Sequence, residues 1–184
     1  MSETPDMDDA ELVRRITGGD EAAFTMAYRQ CGPSVFRFAL HMTGDRFAAE
    51  EITQEVFMKL ISNPRGYDSN RGTLCAWLLG IARNLIRRRT APGSQMEALH
   101  EAMLPDGSRD YIENLNRRET VEAVRQAISS LPAAYKEVIG LCDLEELDYS
   151  SAASILACPV GTVRSRLHRA RQVLALKLQA RCFV

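Results

Sequence analysis

Apolar residues recur at three- and four-residue spacing through most of the chain, and the strict alternation of a half-buried strand is nowhere sustained. The pattern predicts an all-α fold made of two small helical domains. A first short helix runs from Asp8 to Ile16 and is closed by Gly18-Gly19. Asp20 has the chemistry of an N-cap, because its carboxylate can accept the unpaired amides of a first helical turn. The helix it opens carries Phe24, Ala27 and Tyr28 toward Gly32-Pro33. A further helix carries Val35, Phe36, Ala39, Leu40 and Met42 and stops near Gly44. From Phe47 to Ile61 the pattern sets Ile52, Val56 and Leu60 on one face. Asn63-Pro64 ends that helix, since proline pushes the residue before it out of the helical region. The loop 65–72 then leads into a helix from Leu74 to Arg89.

Residues 91–110 hold the breaks Pro92-Gly93 and Pro105-Asp106-Gly107 and have weak periodicity, which reads as a flexible linker. The first domain thus spans 8–90 and the second 111–184. Within the second, Pro132 and the acidic stretch Asp143–Asp148 separate three or four helices. Its last two have the layout of a helix-turn-helix. Ser150 or Ser151 can cap a short helix carrying Ala152, Ala153, Ile155 and Leu156, and Ala157-Cys158-Pro159 makes the turn. The following helix buries Val160, Val163, Leu167, Ala170 and Leu174 along one stripe. Its opposite face presents Thr162, Ser165, His168, Arg169 and Gln172, flanked by Arg164, Arg166 and Arg171. Hydroxyls and guanidiniums suit base edges and phosphates, and an α-helix fits the major groove. A merely solvated basic face is the plain alternative; the short capped helix and proline turn in front of it favour DNA.

Composition changes this picture in one respect. The 184 residues are 46% hydrophobic and 26% charged with a net charge of −1, whereas nucleic-acid binders usually carry a basic excess. The average hides blocks of opposite sign. The first 23 residues hold seven acids and two arginines, and Glu137–Asp148 holds five acids and no base. Ile81–Arg89 has four arginines and no acid, and Val160–Val184 has five arginines, one lysine and no acid. The DNA-facing charge is local, one basic stretch in each domain.

Other classes drop out. No apolar run approaches the ~20 residues of a membrane span, and the acidic N-terminus lacks the layout of a secretory signal, so a cytoplasmic protein without membrane contact is expected. The five cysteines are odd in number and never spaced as CxxC, which predicts reduced structural thiols and no zinc site, with Cys182 the one candidate for redox sensing. No HxxE or paired-Asp constellation is present, and His41, His100 and His168 stand far apart. No catalytic residues, metal or cofactor are therefore expected.

Trp77 shares a helix with the arginine cluster, and Tyr67, Asn70 and Arg71 lie just before it. Aromatics beside arginines can stack unpaired bases and hold the phosphates. Trp77, Leu78, Ile81 and Leu85 also read as a core stripe, so Trp77 is first a structural residue. Asn84 and the arginines are the better candidates for nucleic acid. The polar face of the preceding helix presents Glu51, Gln54, Glu55 and Met58.

These pieces together resemble a known family. Ala49-Glu-Glu-Ile-Thr-Gln-Glu-Val-Phe57 resembles the polymerase-binding helix of bacterial RNA polymerase sigma factors. Tyr67-Asp-Ser-Asn-Arg-Gly72 and the Trp77–Asn84 helix are similar to their region 2 loop and promoter-reading helix. Leu131–Val138 and Cys158–Arg171 are similar to their region 4. Two domains and a short linker resemble the extracytoplasmic-function class. The resemblance implies that Glu51, Gln54, Glu55, Phe57 and Met58 dock on core RNA polymerase. It implies that Tyr67, Asn70, Arg71, Trp77, Arg83 and Asn84 meet the −10 element, some of them around a flipped base, with Arg87 and Arg88 on the upstream backbone. Thr162, Arg164, Ser165, Arg166, His168, Arg169 and Arg171 would read the −35 element. Arg88 departs from the family, which often carries an acid there. The class also implies an anti-sigma partner. A two-domain repressor or activator acting without polymerase is the other reading, and a gel shift with and without core enzyme separates the two.

Overall fold

The computed structural model describes residues 8–90 and 124–182, and everything described is helix, turn or loop, with no strand. In the first domain, helix α1 (Asp9–Thr17) starts at Asp8, whose carboxylate accepts the Ala10 amide, and buries Leu12, Val13 and Ile16. Helix α2 (Glu21–Thr43) starts at Asp20, which takes the Ala22 and Ala23 amides. The Ala23 amide and Arg15 together hold the Asp20 carboxyl below its usual range. Helix α3 (Arg46–Ser62) is capped by Asp45, and α4 (Leu74–Arg89) by Thr73. Two short 3-10 turns, Pro64–Gly66 and Ser69–Arg71, fill the loop between α3 and α4. The ends of α1, α3 and α4 fall within a residue of where the sequence pattern puts them.

One expected break does not occur. The pattern predicts two helices on either side of Gly32-Pro33, but α2 runs unbroken through both residues. Proline inside a helix removes one hydrogen bond and costs ~3 kcal/mol. Against that cost, Ala27, Cys31, Val35, Phe38 and Ala39 form one continuous buried stripe, which exists only if the helix continues. Pro33 itself faces outward.

The second domain comprises a helical segment at 124–129 (α5), α6 (Ala133–Ile139), a π-turn over Gly140–Leu144, α7 (Tyr149–Leu156) and the 23-residue α8 (Val160–Cys182). Asp148, rather than Ser150 or Ser151, caps α7: it accepts both serine amides at 2.8 and 3.0 Å and the Ser151 hydroxyl at 2.6 Å. A carboxylate that gathers three donors is a stronger cap than a hydroxyl, which the serine-rich sequence obscured. Val163, Leu167 and Ala170 of α8 are buried, as the stripe predicts, with Val160 and Leu174 half-buried beside them. The expected linker at 91–110 and the domain start at 111 lie outside the described residues.

Ala157 ends α7 in the left-handed region with φ +50. That conformation costs an L-residue roughly 1–2 kcal/mol and glycine almost nothing. Ala157→Gly is therefore expected to raise stability by about 0.5–1 kcal/mol, read as a higher urea midpoint at unchanged slope.

The cysteines overturn an expectation. Cys31 of α2 and Cys75 of α4 are joined in a disulfide with Cα atoms 5.1 Å apart, while Cys142 and Cys158 are free. Forty-four residues separate the pair, so no local spacing announces it; the close packing of α2 on α4 brings it together.

The two domains are docked. Arg83 on α4 forms a bidentate ion pair with Glu137 on α6 at 2.9 and 3.2 Å and donates to the Ile155 carbonyl at 2.9 Å. Arg37 on α2 pairs in the same way with Glu145 just after the π-turn, at 3.1 and 2.6 Å. His41 Nε2 lies 2.9 Å from the Lys136 carbonyl oxygen. Gly140 presses on α2 so closely that a Cβ there would stand 2.9 Å from His41 and 3.1 Å from the Phe38 ring.

Candidate functional site

Three surfaces follow from this arrangement. The first lies on α3. Gln54 and Met58 are exposed, and Met58 reaches 58% exposure, large for an apolar side chain. Glu51 and Glu55 are half-buried and both held by Arg89 of α4, at 3.1 and 3.3 Å. Phe57 departs from its expected place: it is 3% exposed, its ring edge-on to Phe24 at 6.0 Å and 4.8 Å from Tyr28. It cannot project into a partner; it forms the floor of a groove of about 670 Å³ between α2 and α3. Phe24, Tyr28, Phe36, Arg46 and Glu50 line that groove with Gln54 and Met58. Sequence reasoning missed Tyr28, Phe36, Arg46 and Glu50 as site residues. The signal available was the exposed aromatic at Tyr28, one turn after Phe24.

The second surface lies between the α3–α4 loop and α4. Tyr67 donates its hydroxyl to the Gly72 carbonyl at 3.1 Å, and its ring lies 5.9 Å from that of Trp77. Burial, with Asp9 and Asp8 nearby, pushes the Tyr67 phenol up to about 12, so it stays a neutral donor with an intact aromatic face. A shallow cleft of about 310 Å³ opens beside it, lined by Val13, Arg14, Arg65, Asp68 and Ser69. Trp77 is half-buried against the core, as its stripe predicts. Asn70 folds onto Asp68 through its backbone amide and side-chain Nδ2. Arg71, Asn84, Arg87 and Arg88 are exposed. Arg83 is not: at 6% exposure it is turned into the domain interface on Glu137, so in the docked arrangement it cannot touch DNA. Its i+4 place in the core stripe from Leu79 gave that signal.

The third surface is the polar face of α8. Ser165, His168 and Arg169 are exposed, Thr162 and Arg166 partly so. The Ser165 hydroxyl donates to the Thr162 carbonyl at 3.1 Å. Arg164 lies over the Tyr149 ring at 5.6 Å, a cation–π contact worth about 0.5–1 kcal/mol at an exposed site. Arg171 stands apart from the rest: Asp143 holds it at 3.1 and 2.5 Å, tying α8 to the π-turn.

The docked state also carries a pH dependence. Burial lowers the His41 pKa below 6.5, opposed by its bond to the Lys136 carbonyl and by Glu145, with Lys136 adding to the lowering. The released histidine then binds more protons than the docked one, so docking is full above about pH 6.5 and weakens as pH falls toward the lowered value. Small-angle scattering between pH 7.5 and 5.5 should show the chain expanding on acidification, and His41→Gln should flatten that response.

Among the described residues no three His, Cys, Asp or Glu side chains are grouped to hold a metal, and no helix is long and apolar enough to cross a membrane.

Two family models match the chain, one after the other. Residues 27–91 match the family model "Sigma-70 region 2" and residues 121–174 match "Sigma-70, region 4". The chain is 33% identical over 185 residues to the RNA polymerase sigma-H factor of Pseudomonas aeruginosa, covering 93% of this chain and 94% of that protein. It is 33% identical over 186 residues to the ECF RNA polymerase sigma-E factor of Escherichia coli K12, covering 93% and 94%. Against the ECF sigma factor SigE of Mycolicibacterium smegmatis the identity is 35% over 169 residues, 85% of this chain but 63% of that protein. The fold is similar to that of CnrH in complex with the cytosolic domain of CnrY, with a TM-score of 0.71 over 94% of this chain and 97% of that one at 21% identity. It is also similar to the sigma factor RpoE in complex with the anti-sigma factor NepR from Bartonella quintana, with a TM-score of 0.63 and 25% identity over 85% and 96%. The chain belongs to the sigma-70 family of RNA polymerase sigma factors, in its extracytoplasmic-function class.

Proposed function

We propose that this chain is a dissociable, non-enzymatic specificity subunit of RNA polymerase that acts in the cytoplasm. Region 2, over 8–90, docks on core polymerase through Glu51, Gln54, Glu55 and Met58 with Phe57 beneath them. It captures unpaired −10 bases beside Tyr67, Trp77 and Asn84, with Asn70 and Arg71 at the loop and Arg87 and Arg88 on the backbone. Region 4, from 111 onward, reads the −35 duplex with Thr162, Arg164, Ser165, Arg166, His168 and Arg169. The observation that carries this reading is the exposed polar face of α8 behind a capped helix and turn, on the same chain as an acidic and apolar α3 face. Neither a repressor nor an enzyme needs both.

The groove beneath Met58 supports an anti-sigma partner as well, since an amphipathic helix of such a protein would cover its apolar floor and compete with polymerase there. The weakly charged whole favours low affinity for DNA without polymerase, because few phosphates are neutralised.

Run-off transcription with core polymerase tests this directly: a promoter-dependent product is expected, and its absence would sink the reading. Arg169→Ala should weaken −35 recognition by about 1–3 kcal/mol if it bonds a base edge, measured as promoter affinity of the holoenzyme at fixed salt.

A further inference from the structure

We infer that Cys31 and Cys75 form a site of reversible thiol oxidation, at which Cys75 takes the oxidant and Cys31 closes the disulfide. The inference rests on the proposed function for one point only, that the protein works in a reducing compartment. There a disulfide is seldom a permanent staple and is more often transient or redox-sensing.

The fold does not need the cross-link. Permanent disulfides concentrate in small domains that cannot build a core. Region 2 already buries Leu12, Phe38, Ile52, Leu60, Leu74 and Leu78 almost completely. The two sulfurs are also unequal. Cys31 is fully buried in the middle of α2, whereas Cys75 is partly exposed. Cys75 is the second residue of the 16-residue α4, and the positive end of a helix favours the thiolate, the form that reacts. Asp9 takes the Leu74 amide at that same end, and its carboxylate offsets part of that preference. The free Cys142 is the opposite case: burial and the neighbouring Asp143 push its thiol up, which keeps it protonated and slow.

The chemistry balances with a peroxide as the two-electron oxidant. The Cys75 thiolate attacks one peroxide oxygen, giving the sulfenic acid and releasing hydroxide. The Cys31 thiol then displaces that oxygen as water, so two thiols and one hydrogen peroxide become a disulfide and two waters. Reduction runs through Cys75, the partly exposed member of the pair. A small dithiol attacks Cys75 Sγ, Cys31 leaves as its thiol, and the second thiol of the reagent frees Cys75 as the reagent closes on itself. The oxidised bond fixes the start of α4, two residues before Trp77, to the part of α2 whose next residues, Gly32 and Pro33, line the α2–α3 groove. One oxidation event therefore braces both surfaces of region 2.

The test uses the full-length protein, reduced with dithiothreitol and exposed to hydrogen peroxide under native conditions, with differential alkylation read by mass spectrometry. Labelling of Cys31 and Cys75 should fall by about tenfold or more while Cys142 and Cys158 remain labelled, and dithiothreitol should restore it without denaturant. In Cys31→Ser, dimedone should trap a sulfenic acid on Cys75; in Cys75→Ser, Cys31 should stay unlabelled. Full alkylation of both cysteines after peroxide, a disulfide that only denaturant lets dithiothreitol open, or equal dimedone labelling in the two variants would overturn the assignment. Run-off transcription by the reduced Cys31→Ser/Cys75→Ser double variant keeps the two readings apart. A silent run-off counts against promoter-directed transcription alone, and a promoter-dependent product leaves the thiol result to stand or fall by itself.

Discussion

Replacing Glu137 with alanine is expected to separate the two domains rather than unfold either one. Glu137 and Arg83 are both 6% exposed, and their bidentate pair is the most buried charge contact among the described residues. Removing one member of such a pair leaves an uncompensated buried charge, at a cost of about 3–5 kcal/mol. Inside a single core that cost would fall on folding. Here the stranded Arg83 sits where α4 meets α6 and α7, so undocking returns its guanidinium to water. The loss is thus capped by the docking free energy, and ~3 kcal/mol already shifts a docking equilibrium by more than a hundredfold. Scattering should show an expanded chain with unchanged helix content, and Arg83 should become accessible to solvent. Glu137→Leu combined with Arg83→Met should restore the compact form, since apolar groups of similar volume replace buried ion pairs at little cost. A compact Glu137→Ala variant would show that the pair is not what holds the domains.

Much of this was legible in the sequence, and the failures share one physical cause. Helix ends were readable where a single side chain decides them: Asp20 at α2, Gly44 in the left-handed region after Thr43, the Val163–Leu167–Ala170 stripe of α8. The exposed face of α8 was equally plain, because an amphipathic helix declares its outside when its inside is known. What could not be read depends on contacts between distant segments. Pro33 looks like a break until the stripe from Ala27 to Ala39 is seen buried in one piece. Cys31 and Cys75 look like isolated thiols until α2 lies on α4. Arg83, read as a DNA contact by its place in a basic cluster, turns inward because Glu137 and the Ile155 carbonyl wait 54 and 72 residues away. Periodicity assigns a residue to a face; it does not say which element will cover that face.

The same junction governs the response to Phe38→Ala. Phe38 is 1% exposed on α2, inside the region 2 core, and its ring also backs Gly140 of the π-turn. Truncating a buried phenylalanine removes transfer free energy and leaves a cavity, together about 3–5 kcal/mol. That is a large part of the 5–15 kcal/mol stability of an ordinary domain, so the denaturant midpoint of region 2 should fall steeply. The loss should also divide in a way that Glu137→Ala cannot imitate. Deleting the ring cuts core contacts that survive undocking, so region 2 is destabilised even when region 4 is released. Phe38→Leu refills most of the volume and should recover the greater part of the midpoint. Chemical denaturation of Phe38→Ala, Phe38→Leu and Glu137→Ala, followed by far-UV dichroism, separates the two effects. A Phe38→Ala midpoint equal to that of Glu137→Ala would mean that the ring serves docking alone and that the α2 stripe holds region 2 without it.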